Sequence, residues 1–305
     1  MAPEALSGAQ SLSVVVASLV GAPFIDGCLS SLEGQAHELG AEVVVVACGT
    51  EAYAERIRRE FSWVRVVHRP ERESVPRLRR HGVEAARGEI VAVIEEHCVA
   101  APDWLRRAAA AHGARTCAAV GGPVADLGYR RMRDWVVYFC EYNGSLPPAP
   151  AGEVAELNGA NIAYRREVLL RHKALLDDGY WEASLHPRLL AEGESFVSDP
   201  RMVVFHSGPF DLGYYLRQRY WFSRAYAGAR AGTLPAWRRM AYLAAAPAVP
   251  ALLLARMAGR VWRKRCHVDR FVLALPLFVP ALAAFVAGEW IGYLAGPGDA
   301  LSKVE

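Results

Sequence analysis

Residues 90–104 read IVAVIEEHCVAAPDW, and the interpretation of this stretch decides the fold. Ile90, Val91, Ala92, Val93 and Ile94 form an apolar, β-branched run of the length expected of a buried parallel strand. The run stops at Glu95, Glu96 and His97, so two acids and an imidazole stand at its carboxyl end. Ligands of open α/β sheets bind beyond the carboxyl ends of the strands, which makes these charges candidates for chemistry.

Outward from this stretch, strand and helix patterns alternate. Leu12–Leu19 and Glu42–Ala47 read as strands, and between them Ile25, Cys28, Leu29, Leu32 and Ala36 recur at helical spacing. Tyr53–Phe61 reads as a helix, Trp63–His68 as a strand, and Arg77–Gly88 (RLRRHGVEAARG) as a basic helix feeding the strand at Ile90. Pro102 and Asp103 suit the start of a helix running to His112. Beyond a strand at Cys117–Gly122 and an aromatic segment at Arg130–Tyr142, SLPPAPAG (Ser145–Gly152) predicts an exposed, mobile loop. Leu157–Leu170 (LNGANIAYRREVLL) then turns through glycine into a strand and a helix, and a strand at Met202–Phe205 leads to His206. The alternation predicts an α/β fold with a doubly wound, mostly parallel sheet.

Composition narrows the class. At 305 residues the chain exceeds a usual single domain, and we expect an α/β domain over 1–230 and a hydrophobic region over 231–305. With 35 basic and 32 acidic residues the net charge is only +3, which argues against nucleic-acid binding driven by phosphate neutralisation. Six cysteines without a CxxC pair indicate neither a disulfide framework nor a zinc site, and fit a reducing cytosol. The N-terminus has no basic start and no long apolar run, so no secretory signal is expected. The first turn, SLVGAPFIDG, lacks the closely spaced glycines of a dinucleotide-binding dehydrogenase.

Four pieces, in this order, carry a resemblance: VVVAS, RRHGVEAARGEIVAVIEEH, LNGANIAYRR and the helix end RLLAEG. Over about Ser11–Arg230 the chain resembles the family 2 glycosyltransferases, which have the GT-A fold. The family's Asp-x-Asp motif, which holds a divalent metal and the donor diphosphate, implies that role here for Glu95 and His97. Carboxylate oxygen suits Mg²⁺ or Mn²⁺, and neutral imidazole suits Mn²⁺ better. A hydrogen-bonded histidine at a strand end is the plainer account of His97. The resemblance places an inverting enzyme's general base on Glu182, preceded by Trp181 where the family commonly has an acid; by local composition Tyr180 and Trp181 are expected to line the sugar face, desolvating Glu182 and strengthening it as a base. A helix-capping role for Glu182 is the alternative. Arg79 is implied as a diphosphate ligand, or is one charge on a basic helix face. Gly159 and Asn161 fall where the family brings a small-residue loop to the donor sugar and acceptor, although a plain tight turn explains the glycine equally well. His206 is a further candidate near the diphosphate. The family's acid after the second strand is absent: Ala47, Cys48, Gly49 and Thr50 stand there, with Glu51 the nearest substitute. Arg217–Trp221 (RQRYW) matches the (Q/R)xxRW box of some members only in part.

Two apolar runs close the chain, Met240–Ala258 and Phe271–Leu294, separated by the basic GRVWRKRCHVDR. About 20 apolar residues span a bilayer and basic loops stay cytoplasmic. The expectation is therefore a cell-membrane protein with a cytoplasmic catalytic domain. Its first segment is interfacial or re-entrant, its second a true span, and the tail from Gly296 lies outside. Together these features imply an inverting, metal-dependent transfer from a nucleotide-sugar donor to a lipid or lipid-linked acceptor at the membrane. Two other readings remain at this stage: a non-catalytic sugar-nucleotide-binding membrane protein, and a nucleotidyltransferase. The second needs a phosphate-gripping Gly- and Arg/Lys-rich loop that SLVGAPFIDG does not supply.

Overall fold

Leu12–Ser18 (β1) is buried at every position, which requires partners on both edges and cover on both faces. Its parallel neighbours are Glu42–Cys48 (β2) and Ile90–Glu95 (β4), with Arg65–Arg69 (β3) beyond β2. The crossovers are the helices Phe24–Leu39 (α1), Glu51–Glu60 (α2) and Val75–Ala85 (α3). Then follow Cys98–Ala100 (β5), Trp104–Ala114 (α4), Ala119–Gly121 (β6), Val124–Asp126 (β7), Met132–Tyr142 (α5) and Gly152–Val154 (β8). After these come Asn161–Arg165 (β9), Arg166–Arg171 (α6), Trp181–Ala191 (α7), Phe196–Ser198 (β10) and Val204–His206 (β11). The C-terminal helices are Leu212–Ala231 (α8), Ala236–Ala245 (α9), Val249–Lys264 (α10) and Val268–Ala295 (α11). This computed structural model describes residues 10–19, 21–177, 181–208 and 210–304.

The main sheet has eight strands in the order β3-β2-β1-β4-β9-β6-β10-β8. The expected α/β sheet is present but mixed, because β9 runs antiparallel to both β4 and β6. That reversal positions the site: Asn161, at the start of β9, pairs with Ile94 near the end of β4. The turn before β9 therefore reaches the same carboxyl edge that Glu95 occupies.

The chain divides into two compact units, one of Met1–Glu71, Pro76–Val124 and Ala149–Phe205, the other of Arg72–Val75, Ala125–Pro148 and His206–Glu305. The division does not fall at residue 230, because α5 and α8 pack with the C-terminal helices. In the second unit Phe139 of α5 meets Phe271 and Phe278 of α11 edge-on or tilted, at 5.2 and 6.3 Å. Gly288 and Gly292 of α11 admit α8 closely: a Cβ at Gly288 would lie 2.3 Å from the Tyr220 carbonyl oxygen, and one at Gly292 2.7 Å from that of Arg224. Arg219, from the RQRYW stretch, is buried in α8 and donates to Glu141 at 2.6 Å, with Tyr215 on the same carboxylate at 3.1 Å. The Pro-rich segment expected to be a mobile loop is anchored, since Leu146 is fully buried and its carbonyl accepts from Lys264.

Candidate active site at the carboxyl edge of the sheet

At the end of β4 the three polar residues separate by side. β4 ends at Glu95, and Glu96 and His97 form the turn into β5, which brings His97 Nε2 back to 3.3 Å from Glu95 Oε2. Glu96 turns the other way and is buried. Its carboxylate accepts from Ser18 Oγ (2.6 Å), Leu19 N (2.8 Å) and Gly21 N (2.9 Å), which fixes the turn between β1 and α1. A buried carboxylate needs such donors. From the sequence, Glu96, the middle of the three polar residues, is expected to face away or to support a ligand, while its partners on the β1–α1 turn are not readable there.

Arg79 is on the buried stripe of α3 with Leu78, Gly82 and Val83. A buried guanidinium requires a partner, and Nη2 donates to Glu95 Oε1 at 3.2 Å. Across from it Glu182, in the first turn of α7, accepts from the backbone N–H of Gly159 at 2.7 Å. A Cβ at Gly159 would sit 2.3 Å from Glu182 Oε1 and 2.9 Å from Arg79 Nη1. Glycine is therefore required for carboxylate and guanidinium to approach one spot. The structure thus brings together Glu95, His97, Arg79, Gly159 and Glu182. Close to Glu182, Tyr164 Oη and His186 Nε2 share a buried 2.6 Å hydrogen bond. Burial, seconded by the charge of Glu182, pushes the Tyr164 hydroxyl well up, and burial lowers His186, so the pair stays neutral.

Three expectations change. Trp181 does not line a sugar face: it is in the core, edge-on to Tyr164 at 5.8 Å, with its indole N–H on the Leu176 carbonyl. Its burial instead turns the next residue, Glu182, outward, and Glu182 is exposed rather than desolvated by an aromatic wall. Tyr180 lies outside the described residues. Asn161 is fully buried and its carboxamide is engaged, accepting from Trp104 Nε1 (2.7 Å) and donating to the carbonyls of Pro123 (2.9 Å) and Met202 (2.6 Å). It ties β9 to two loops instead of offering a group to a sugar. Asn161→Leu should therefore cost about 3 kcal/mol by stranding buried partners, read as a lower urea midpoint at unchanged slope. His206 belongs to the second unit, hydrogen-bonded to Tyr129, stacked on Phe210 at 5.3 Å and packed on Tyr142 at 4.6 Å. That packing accounts for it without a diphosphate.

At the end of β2, Thr50 caps α2 through the Tyr53 N–H. Glu51, the substitute for the missing acid, is paired with Arg58 at 2.7 Å and with His68 Nδ1 at 2.6 Å. Any donor contact from Glu51 competes with these partners. Burial pushes the Cys28 and Cys98 thiols far up, so neither is a nucleophile.

Among the described residues no group of three or more His, Cys, Asp or Glu converges. Glu95 and His97 offer two converging donors, which fits a cation that takes its remaining ligands from substrate phosphates and water, as Mg²⁺ and Mn²⁺ do. It does not fit a cation held by protein alone.

A mixed α/β sheet with acids, an arginine and a backbone turn at its carboxyl edge defines the GT-A class. The glycosyl transferase family 2 pattern matches residues 13–172, more than half of the chain, and the protein belongs to that family as a glycosyltransferase. Mannosyltransferase PcManGT from Pyrobaculum calidifontis, solved in complex with GDP-Man and Mn²⁺, is similar over 94% of this chain and 87% of its own, at 20% identity and a TM-score of 0.58. S. aureus TarS 1-349 is similar over 93% and 90%, at 15% identity and 0.51. GalNAc-T7, solved with UDP, GalNAc and Mn²⁺, is similar over 66% of this chain and 44% of its own, at 14% identity and 0.50. At such identities the likeness is one of fold. No curated protein matches the sequence.

Proposed function

We propose that the protein is an inverting glycosyltransferase that moves a sugar from a nucleotide donor to a lipid or lipid-linked acceptor at the membrane, from a cytoplasmic catalytic domain. One observation carries the transfer chemistry: Glu182 and Arg79 meet over Gly159, and Arg79 is itself bound to Glu95 beside His97; the membrane acceptor is supported by the two apolar C-terminal segments. In the proposed reaction the acceptor oxygen attacks C1 of the donor sugar. Glu182 takes the hydroxyl proton, and the bond from C1 to the diphosphate oxygen breaks with its electron pair on the leaving group. In this reading Arg79 meets that charge with its guanidinium. Glu95 and His97 would hold a divalent cation, which when bound neutralises charge developing on the diphosphate. Glu96 positions the β1–α1 turn through the hydrogen bonds it accepts from Ser18, Leu19 and Gly21.

The test uses purified full-length protein and a panel of UDP-, GDP- and TDP-sugars, followed as nucleotide release. Chelation should bring release to background, with Mn²⁺ restoring it better than Mg²⁺ because of the imidazole. Calorimetric donor affinity should fall in parallel. Donor binding without turnover on any acceptor would instead identify a non-catalytic binder, and release undiminished by chelation would remove the cation from the proposal.

A further inference from the structure

We infer that the second unit docks onto one leaflet of an anionic phospholipid bilayer. In this arrangement the α9–α10 and α11 segments lie in the membrane plane, and both the loop between them and the C-terminal segment stay on the side of the glycosyltransferase unit. This rests on the membrane reading of the proposed function and replaces the single span expected from the sequence.

Length and composition alone would let both segments cross: Ala236–Lys264 has 29 residues and Val268–Ala295 has 28. The ends of α11 do not permit it. Before its first turn, His267 Nε2 lies 2.8 Å from Asp126 Oδ2, while Arg260 donates to Asn143 Oδ1 at 2.5 Å and Lys264 to the Leu146 carbonyl. After its last turn, Arg72 Nε donates to the Ser302 carbonyl at 2.8 Å and Gln218 Nε2 to that of Lys303 at 3.2 Å, with the Lys303 ammonium 4.3 Å over the Trp221 ring. Arg72 directly follows Glu71, and Asp126 stands two residues beyond Val124, and Glu71 and Val124 are both residues of the first unit. By chain connectivity both sets of partners stay on that unit's side of a bilayer, and the two ends of α11 with them. A spanning helix must instead part its ends across about 30 Å of hydrocarbon.

Helix α10 has the surface of an in-plane helix, whereas α11 has no polar face and is placed by the contacts at its two ends. On α10, Leu252, Ala255, Gly259 and Trp262 form an exposed stripe at helical spacing, flanked by Arg256, Arg260 and Arg263. A charge at Arg256 is costly at a bilayer centre and favourable among headgroups. The helix is also broken by a 3-10 turn at Ala246–Ala248 before Val249. On α11, one side faces α5 and α8 and the other leaves Leu273, Val279 and Leu294 exposed, Val279 at 68%. Exposed Trp237, Trp262 and Trp290 suit the headgroup region. Charge selects lipid over a second copy of the chain, because self-association would oppose like charges at Arg256, Arg263 and Arg265, Arg270 being paired with Asp269 at 3.4 Å.

The full-length chain should be synthesised in the presence of inverted bacterial membrane vesicles, so that insertion machinery is available. It would carry Arg265→Cys with Cys266→Ser and a protease-cleavable C-terminal tag. Without detergent, an impermeant maleimide should label the loop cysteine and protease should remove the tag. A protected loop would overturn the inference in favour of two spans, and a protected tag in favour of one. In flotation, purified protein should bind phosphatidylcholine vesicles containing phosphatidylglycerol about tenfold or more better than phosphatidylcholine alone. Arg256→Gln, Arg263→Gln and Arg265→Gln together should erase that difference. Equal binding to neutral vesicles would overturn the anionic surface. No binding to any vesicle, with a dimer by light scattering, would overturn the membrane reading itself and assign the face to a second copy.

Discussion

Glu182→Gln is expected to lower turnover by about 10²–10⁴-fold while leaving the donor affinity within about twofold, a loss in kcat with little change in donor binding. Glutamine has the same shape and keeps an oxygen to accept the Gly159 N–H that binds Glu182 at 2.7 Å, so the turn and the neighbouring Arg79 keep their geometry. What it lacks is the capacity to take a proton at neutral pH. Steady-state nucleotide release with calorimetric donor binding separates the two effects. Turnover at the parental rate would exclude Glu182 as the base. An equal loss of donor binding would reassign it to the donor site.

Much of the fold is legible in the sequence because central parallel strands are buried on both faces. VVVAS, EVVVVA and IVAVI are therefore near-continuous apolar runs, and each is a strand of the main sheet. Gly152–Val154 is only partly buried and has no such run, which is why no strand is expected where β8 lies. The antiparallel direction of β9 is equally hidden, since NIAYR alternates no differently for either pairing. At the site, spacing identifies residues at strand and helix ends but not where each side chain is aimed. Asn161 finds its partners in Trp104, Pro123 and Met202, at sequence separations of 57, 38 and 41, and no local pattern announces them. Trp181 and Glu182 are adjacent in sequence, yet a helix turns successive residues by about 100°. One enters the core and the other leaves it. In the inferred membrane arrangement the reason is similar: hydropathy reports length and apolarity, whereas the hydrogen bonds of Arg72, Gln218 and Arg260 bear on where the ends go.

Gly159→Ala separates fold from site more sharply than any charge change. The added methyl group would meet Glu182 Oε1 at 2.3 Å and Arg79 Nη1 at 2.9 Å. Both contacts are the far ends of flexible side chains, so it is the side chains that yield and the backbone that stays. Thermal stability should then shift by less than about 1 kcal/mol, because the methyl group meets Arg79 Nη1 while Nη2 keeps Glu95 as the partner of the buried guanidinium. Activity responds differently, because the carboxylate and the guanidinium are displaced together from the spot where acceptor proton and diphosphate charge must both be met. A misplacement of about 1 Å costs on the order of 10²-fold in rate, and here two groups move at once. We expect kcat/KM to fall by about 10²-fold or more with the melting transition nearly unchanged. In combination with Glu182→Gln the losses should be strongly non-additive, since the alanine acts largely through the carboxylate that glutamine has already disabled. Additive losses would mean that Gly159 serves the backbone alone, and that the convergence of Glu182 with Arg79 has no part in catalysis.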